Sequence, residues 1–565
     1  MQRDEYVRRY GPTVGDRVRL ADTNLYVTVE DDHVGYGDEP LFGFGKTLRS
    51  RLLQQDRATR DSELDFAVIG VLLIDPLVGI IKTNIGIKNG RVVGIGPING
   101  VAVHGQDLII GPNTYPITGF GLIATAGGVD SHVHLPTPRL VPSALAAGVT
   151  TLITAGFEEP PYSMHRMLMA FEHLPVNVGL QACARTQRPE TSEAVIAAGA
   201  VGLKVHEDYG AYPEIIDAAL RSAADHDIAV CLHTDGLNEA AEIDDTLAAI
   251  DGRTVHAYHV EGSAGGHLPD NLLLVTNPAV ICSSTTPSIP FARHTAAEHV
   301  DMILAVHGGD PDLPDDVFAV RERVHQATMA AEGPLHDFGA ISITNSDSQG
   351  VGRIAETIRR TWQLCDSMKR WRSEGGDRWG ADGELGSFTK ELHDNRRVLQ
   401  YLAKYTIEPA LVHGIGHDVG TLMPGRLADI VLWRPALFGV KPELVLKNGF
   451  EAWGAMGQGN GAVERVQPVA YGPLWGSTGT TGSRLGTTFV SQAALDADIA
   501  GTLGTQRRLS VVRKTRGLTR ASLIANKTTA PIEVDPVDGR VFFSGQLLAS
   551  TPVDRVPMNR TFLVS

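Results

Sequence analysis

The chain has 565 residues and a formal net charge of -15, so its length predicts several structural units of about 100–200 residues each, and its acidity excludes a basic nucleic-acid footprint over the whole chain. With 43% hydrophobic and 20% charged residues, the balance is globular and excludes a mainly disordered or fibrous protein. No apolar run approaches the roughly 20 residues of a membrane span, Met1 to Glu5 lack the apolar stretch of a secretory signal, and the four cysteines show no CxxC spacing, so the expected setting is a reducing cytoplasm without disulfides or membrane contact.

In chain order, the first 127 residues read as short apolar segments broken by Gly, Asn, Asp and Pro. Leu25 to Val29 reads as a strand, and Ile85 to Ile95 as two strands around an Asn89-Gly90 hairpin turn. From residue 128 helical periodicity alternates with short β-branched runs. Helices are expected at Ser192–Gly199, Pro213–His226 and Glu239–Ile250. Each precedes a strand: Val201–His206, Ile228–His233 and Thr254–His259. Such alternation predicts a parallel α/β architecture, here a (β/α)8 barrel over residues 128–414. Strand texture returns at Gly425–Trp433 and Leu444–Gly449, so residues 415–470 are expected to complete a separate β-rich domain begun by residues 1–127. Residues 471–565 form an extension expected to pack on the barrel. Gly457–Gly461 and Gly476–Gly486 read as surface connectors, and Ser373–Glu384 as an exposed loop.

The chemistry gathers at strand ends. His132 and His134 are two apart, so on a strand both imidazoles face one side and can address one ion. A His-x-His pair alone is as readily structural as functional. Lys204 with His206, then His233, then His259, and finally Asp347 each fall at or near the C-terminal end of a predicted strand, which is the catalytic face of a barrel. Core packing explains one buried histidine easily but not several polar residues at equivalent strand ends, because each needs a partner. Four histidines, a carboxylate and a lysine suit a pair of divalent ions with N and O ligands. An unmodified lysine is a poor ligand because its amine stays protonated, so Lys204 must be neutralised or modified.

The chain resembles the large (alpha) subunits of ureases, nickel amidohydrolases, over nearly its whole length. The resemblance rests on Tyr10 to Thr23, Phe42 to Lys46, Gly202-Leu203-Lys204-Val205-His206-Glu207-Asp208-Tyr209-Gly210, His233-Thr234-Asp235, His259-Val260-Glu261-Gly262, Ser346-Asp347-Ser348-Gln349, Phe438 to Pro442 and Ser491 to Ala494. It implies a metal-dependent barrel of the amidohydrolase type. Two nickel ions would be held by His132, His134, Lys204, His233, His259 and Asp347, with Lys204 carbamylated and bridging. His206 would hydrogen-bond the urea carbonyl, with Gly350 in the substrate wall. His307 would be the general acid on a flap, oriented by Asp208 and Arg323. A bridging hydroxide would hydrolyse urea to ammonia and carbamate. The implied partners are the smaller gamma and beta subunits in a heterotrimer that oligomerises further, and accessory proteins that insert nickel.

The resemblance breaks around the substrate. The connection over residues 153–163 is shortened, placing Glu158 and Glu159 where the family has a glycine-rich wall. Val306 replaces a usual flap cysteine, Gly308-Gly309 a His-Leu pair, Ala264 a usual glycine and Gly350 a usual alanine. Two further readings therefore stand beside a urease: an amidohydrolase for another amide or ureide, and a urease-like paralogue with a structural role.

Overall fold

Apolar, β-branched runs build the N-terminal region as a sheet. In this computed structural model, which describes residues 1–34, 53–135, 137–156, 160–206, 210–234, 243–260, 271–375, 393–456 and 470–559, β1 (Phe66–Asp75) pairs antiparallel with β2 (Gly79–Lys88). β2 turns back into β3 (Arg91–Gly96) through Asn89 and Gly90, at φ 51° and 75°. Those left-handed conformations are what a two-residue type I′ hairpin demands, and Asn-Gly supplies them at least cost. β4 (Ile123–Ala126) lies parallel to β1.

After Gly127 the chain enters a ring of parallel strands. β5 (Gly128–Val133) pairs with β6 (Val149–Thr154), and β6 with β7 (Asn177–Gly179). β8 (Gln181–Cys183) continues β7 beyond Leu180 and pairs with β9 (Gly202–Val205). β10 (Ala229–Leu232), β11 (Val255–Ala257), β12 (Val280–Thr285) and β13 (Ile343–Asn345) follow as parallel neighbours. A parallel bridge between Val133 and Ser348 closes the ring onto β5. With β7 and β8 as one interrupted strand, this is the eight-stranded arrangement of a (β/α)8 barrel.

Helices cover the ring. α1 (Pro213–His226) and α2 (Ile243–Ile250) flank β10. α1 starts with proline at its first turn, where the missing N–H costs nothing, and buries Ile215, Ile216, Ala219, Leu220 and Ala223 at helical spacing. The helix expected at Ser192–Gly199 runs Pro189–Ala197, because Pro189 opens it earlier. The expected start of α2 at Glu239 lies outside the described residues. α3 (Thr295–Val306), α4 (Pro314–Arg321), α5 (Gln326–Phe338), α6 (Thr357–Ser373), α7 (Asn395–Ala403) and α8 (Ile407–Val412) complete the set that matters for the site. Ser373 is the last residue of α6, not part of a loop, and residues 376–392 lie outside the described residues.

The chain then returns to the first sheet. β14 (Ile430–Trp433) runs antiparallel to β4, with Ile430 opposite Ala126, and β15 (Pro442–Lys447) and β16 (Phe450–Met456) extend it. The buried Asp429 carboxylate fastens this return, accepting from Lys447 Nζ, from Asn177 Nδ2 at 2.7 Å and from Asn448 N at 3.0 Å. The C-terminal segment contributes strands as well as cover: β17 (Thr487–Val490) pairs with β7, and β18 (Arg508–Val511) with β17. The reading of Gly476–Gly486 as a surface connector is corrected. Thr481–Leu485 is a short helix in which Gly482, Ser483 and Leu485 are buried. A side chain at Gly482 would meet the His173 carbonyl oxygen at 2.0 Å, so glycine there permits close packing. Among the described residues no helix is long and apolar enough to cross a membrane.

A buried ionic cluster ties α5, α6 and α7 together. Asp337 accepts from Arg372 Nε at 2.8 Å, from Arg397 Nη1 and from Tyr401 OH at 3.1 Å. Burial alone raises the Asp337 carboxyl, but the two guanidinium charges outweigh it and hold it below its ordinary value. Asp337→Ala would strand two buried guanidinium groups, and a loss of about 3–5 kcal/mol is expected by denaturant melting. The depressed folded-state pKa also fixes a sign. The contribution is complete above the unfolded carboxyl pKa of about 3.9 and is lost as pH falls through the lower folded value, so the variant should show a smaller acid-induced loss of stability than the parent chain.

Candidate metal centre

Barrel strands carry polar residues to one end of the ring. His132 ends its side chain inside β5, and His134 follows that strand. Lys204 sits in β9 with His206 just beyond it, His233 follows β10, His259 follows β11 and Asp347 follows β13. All except the half-buried His134 are buried. His132 Nε2 and His134 Nε2 lie 3.4 and 3.1 Å from Asp347 Oδ1. His233 Nδ1 lies 2.9 Å from His259 Nε2, and the His206 ring stacks on His233 with centroids 3.8 Å apart. The donor atoms of His132, His259 and Asp347 lie within 4.8 Å of one another. Lys204 Nζ sits 4.2 Å from the centroid of the Tyr258 ring, which also stacks on His132 with centroids 4.0 Å apart.

The electrostatics suit cation binding. Burial, then the charges of Lys204 and the neighbouring histidines, hold His132 far below the ordinary histidine pKa, leaving a neutral imidazole with a free lone pair. Neither of its ring nitrogens has a hydrogen-bond partner among the described residues, an arrangement that costs stability unless a ligand takes it up. Burial raises the Asp347 carboxyl, but the His134 hydrogen bond and the charges of His134, His259 and His233 outweigh that and keep it ionised. His259 and Asp347 have φ of 33° and 49°, left-handed conformations that non-glycine residues adopt at a cost and that cluster at functional sites.

Two glycines make room. A Cβ at Gly156, whose φ is 72°, would stand 2.6 Å from Lys204 Cβ, and one at Gly350 would stand 2.3 Å from Asp347 Oδ1. Gly350→Ala must therefore displace the Asp347 carboxylate. Because alanine is the usual residue here in the resembled family and the atom displaced is the far end of a flexible side chain, metal content is expected to be kept while the KM for substrate changes, as read by metal titration and urea kinetics of the variant.

Supporting residues were not foreseen from the sequence. Asp130, its carboxyl pushed up to about 6 by burial, accepts from Ser346 N at 3.1 Å and from Thr357 Oγ1 at 2.9 Å. His134 N donates to Ser348 O at 2.9 Å, so the Asp347 loop is sewn to β5 on both sides. Tyr258 OH donates to Ser131 O at 2.7 Å and accepts from Gln181 Nε2 at 2.8 Å, joining three strands under the cluster. The spacing of Asp130, His132 and His134 by twos was the available signal for the first of these.

The flap residues occupy a different place. His307 caps the end of α3 and is exposed, and Gly308, at φ 71°, ends that helix in the left-handed region. His307, Gly308, Asp316 and Arg323 line a cavity of 360 Å³ between α3 and α4, and no residue of the metal cluster lines it. The structure thus brings His307 and Arg323 to one cavity, which none of the candidate ligands lines. Asp208, Glu158, Glu159 and Ala264 lie outside the described residues.

Two family models match: "Amidohydrolase family" over residues 123–452 and "Urease alpha-subunit, N-terminal domain" over residues 1–117. The chain is 45% identical over 568 aligned positions to a urease subunit alpha 1 of Streptomyces avermitilis, covering 99% of each chain. It is 42% identical to a urease subunit alpha of Natronomonas pharaonis, covering 100% of this chain and 99% of that one. Among solved structures, a dihydropyrimidinase from Brevibacillus agri is similar at 13% identity and a TM-score of 0.48, over 68% of this chain and 94% of that one.

Proposed function

The chain belongs to the urease alpha-subunit family, and from that premise we propose that it is a catalytic subunit hydrolysing urea to ammonia and carbamate at the buried cluster. The observation that carries this reading is the convergence of His132, His134, His259 and Asp347 around shared donor positions, with Lys204 and His206 beside them. His132, His134, His233, His259 and Asp347 would hold two nickel ions, with Lys204 between them as a carbamate formed from its neutral amine and carbon dioxide with release of one proton. When bound, the ions supply Lewis acidity to the urea carbonyl and lower the pKa of water from 15.7 toward about 7.

The remaining work falls to side chains. His206, held flat against His233, donates to the urea oxygen and orients the substrate. His307 delivers a proton to the departing nitrogen when the flap closes, and a lid of this kind also excludes water. Arg323, on the same cavity as His307, and Asp208 orient that imidazole. Gly350 leaves the substrate wall open beside Asp347. We place the chain in the cytoplasm, where reduced thiols such as Cys231, Cys282 and Cys365 are stable, assembled with gamma and beta subunits and loaded with nickel by accessory proteins. Ammonium release and metal content, measured on one preparation of the chain co-produced with those subunits and maturation factors, test the reading. Two nickel ions per chain and urea-dependent ammonium are expected. Two ions with no ureolysis would favour a structural paralogue instead.

A further inference from the structure

One layer below Lys204, the barrel holds a second cluster that urea hydrolysis does not use. In the strand register Lys204 of β9 stands opposite Cys231 of β10, and Cys231 opposite His256 of β11. His413, the residue that ends α8, enters from below. The three are at most 1% exposed, and their ligating atoms lie within 4.8 Å of one another. His256 Nδ1 and His413 Nε2 are 3.1 Å apart, with ring planes at 70°. Two nitrogens bound about 2.0–2.1 Å from one ion stand roughly 3.1–3.6 Å apart for angles of about 100–120°, so the rings need open only slightly to share one. A hydrogen bond between the rings, with an inert thiol beside them, is the plain alternative. Either arrangement leaves His256 Nε2 and His413 Nδ1 without partners among the described residues; what favours an ion is the buried thiol standing with a nitrogen of each ring in one cluster of ligating atoms.

We propose that Cys231, His256 and His413 form a second metal site, on the barrel floor, that takes a soft monovalent cation, Cu(I). Thiolate selects soft ions, and two imidazoles complete a three-coordinate set. The three side chains bring one thiol and two imidazoles together, shielded from solvent. Binding releases the thiol proton to solvent and forms the Cu–S bond with no change of oxidation state. The complex of Cu(I) with one thiolate and two neutral imidazoles carries no net charge. A divalent ion on the same ligands would leave a buried net positive charge, at a cost that burial magnifies. The cluster above has only nitrogen and oxygen donors, so ligand softness sorts the two ions between the layers.

The test uses the full chain, produced in copper-supplemented medium so that the ion enters before the barrel closes, then loaded with nickel. The protein is challenged with excess Cu(I) chelator under ascorbate and read by metal analysis and X-ray absorption. The expected result is one copper per chain with one sulfur and two nitrogen neighbours. Cys231→Ala and the volume-conserving Cys231→Ser should both lose copper and keep nickel. Copper absent from the parent chain, copper kept equally by both variants, or a copper shell without sulfur would each overturn the proposal. None of these outcomes depends on ureolysis, so the two readings fail separately.

Discussion

Lys204→Ala is expected to abolish urea hydrolysis and to remove most of the bound nickel. Lys204 is fully buried, with Nζ above the Tyr258 ring and its Cβ against Gly156. Nothing else at that strand position offers an oxygen to two ions at once. The five remaining ligands are four neutral nitrogens and one carboxylate, which leaves much of the charge of two divalent ions uncompensated in a buried site. Metal analysis should give well under two ions per chain, and ammonium release should fall to the uncatalysed level. The truncated side chain leaves a cavity, so Lys204→Gln, which nearly conserves volume, should behave alike. If either folded variant keeps two ions and turns over urea, Lys204 is not the bridging ligand.

His307→Ala should separate chemistry from metal binding. The imidazole lies on the α3–α4 cavity and not among the ligands, so nickel content should be unchanged. Positioned proton transfer contributes about 10²–10⁴-fold, and kcat should fall by that amount. Arg323→Gln should cause a smaller loss and shift the pH profile, because it acts through the histidine. Unaltered ammonium release from His307→Ala would instead support a chain whose role is assembly.

Local signals were enough for the parts of the fold in which a residue's own conformation decides the outcome. The Asn89-Gly90 hairpin follows from left-handed preference, and the helix Pro213–His226 from its apolar period and terminal proline. What local pattern does not encode is pairing between distant segments. The break at Leu180, which sends β7 toward β17 and β8 toward β9, depends on residues 487–490, far along the chain. The burial of Gly482 against the His173 carbonyl is likewise a long-range contact. Among the site residues, those on strand ends were legible because alternation and barrel geometry send them to one face. Asp130, Tyr258 and Gln181 were not, since their roles arise from hydrogen bonds across the barrel interior.

Gly350 and the flap bear on substrate choice. With glycine at 350, the Asp347 carboxylate occupies a position that an alanine methyl would contest, and the question is which small amide the site serves. The most direct measurement is therefore kcat/KM for urea beside a panel of simple amides and cyclic ureides, on the nickel-loaded chain assembled with the proposed gamma and beta subunits. The account predicts the highest value for urea, with hydrolysis of every substrate lost in Lys204→Ala. A higher value for another amide or ureide, with two nickel ions bound, would contradict it.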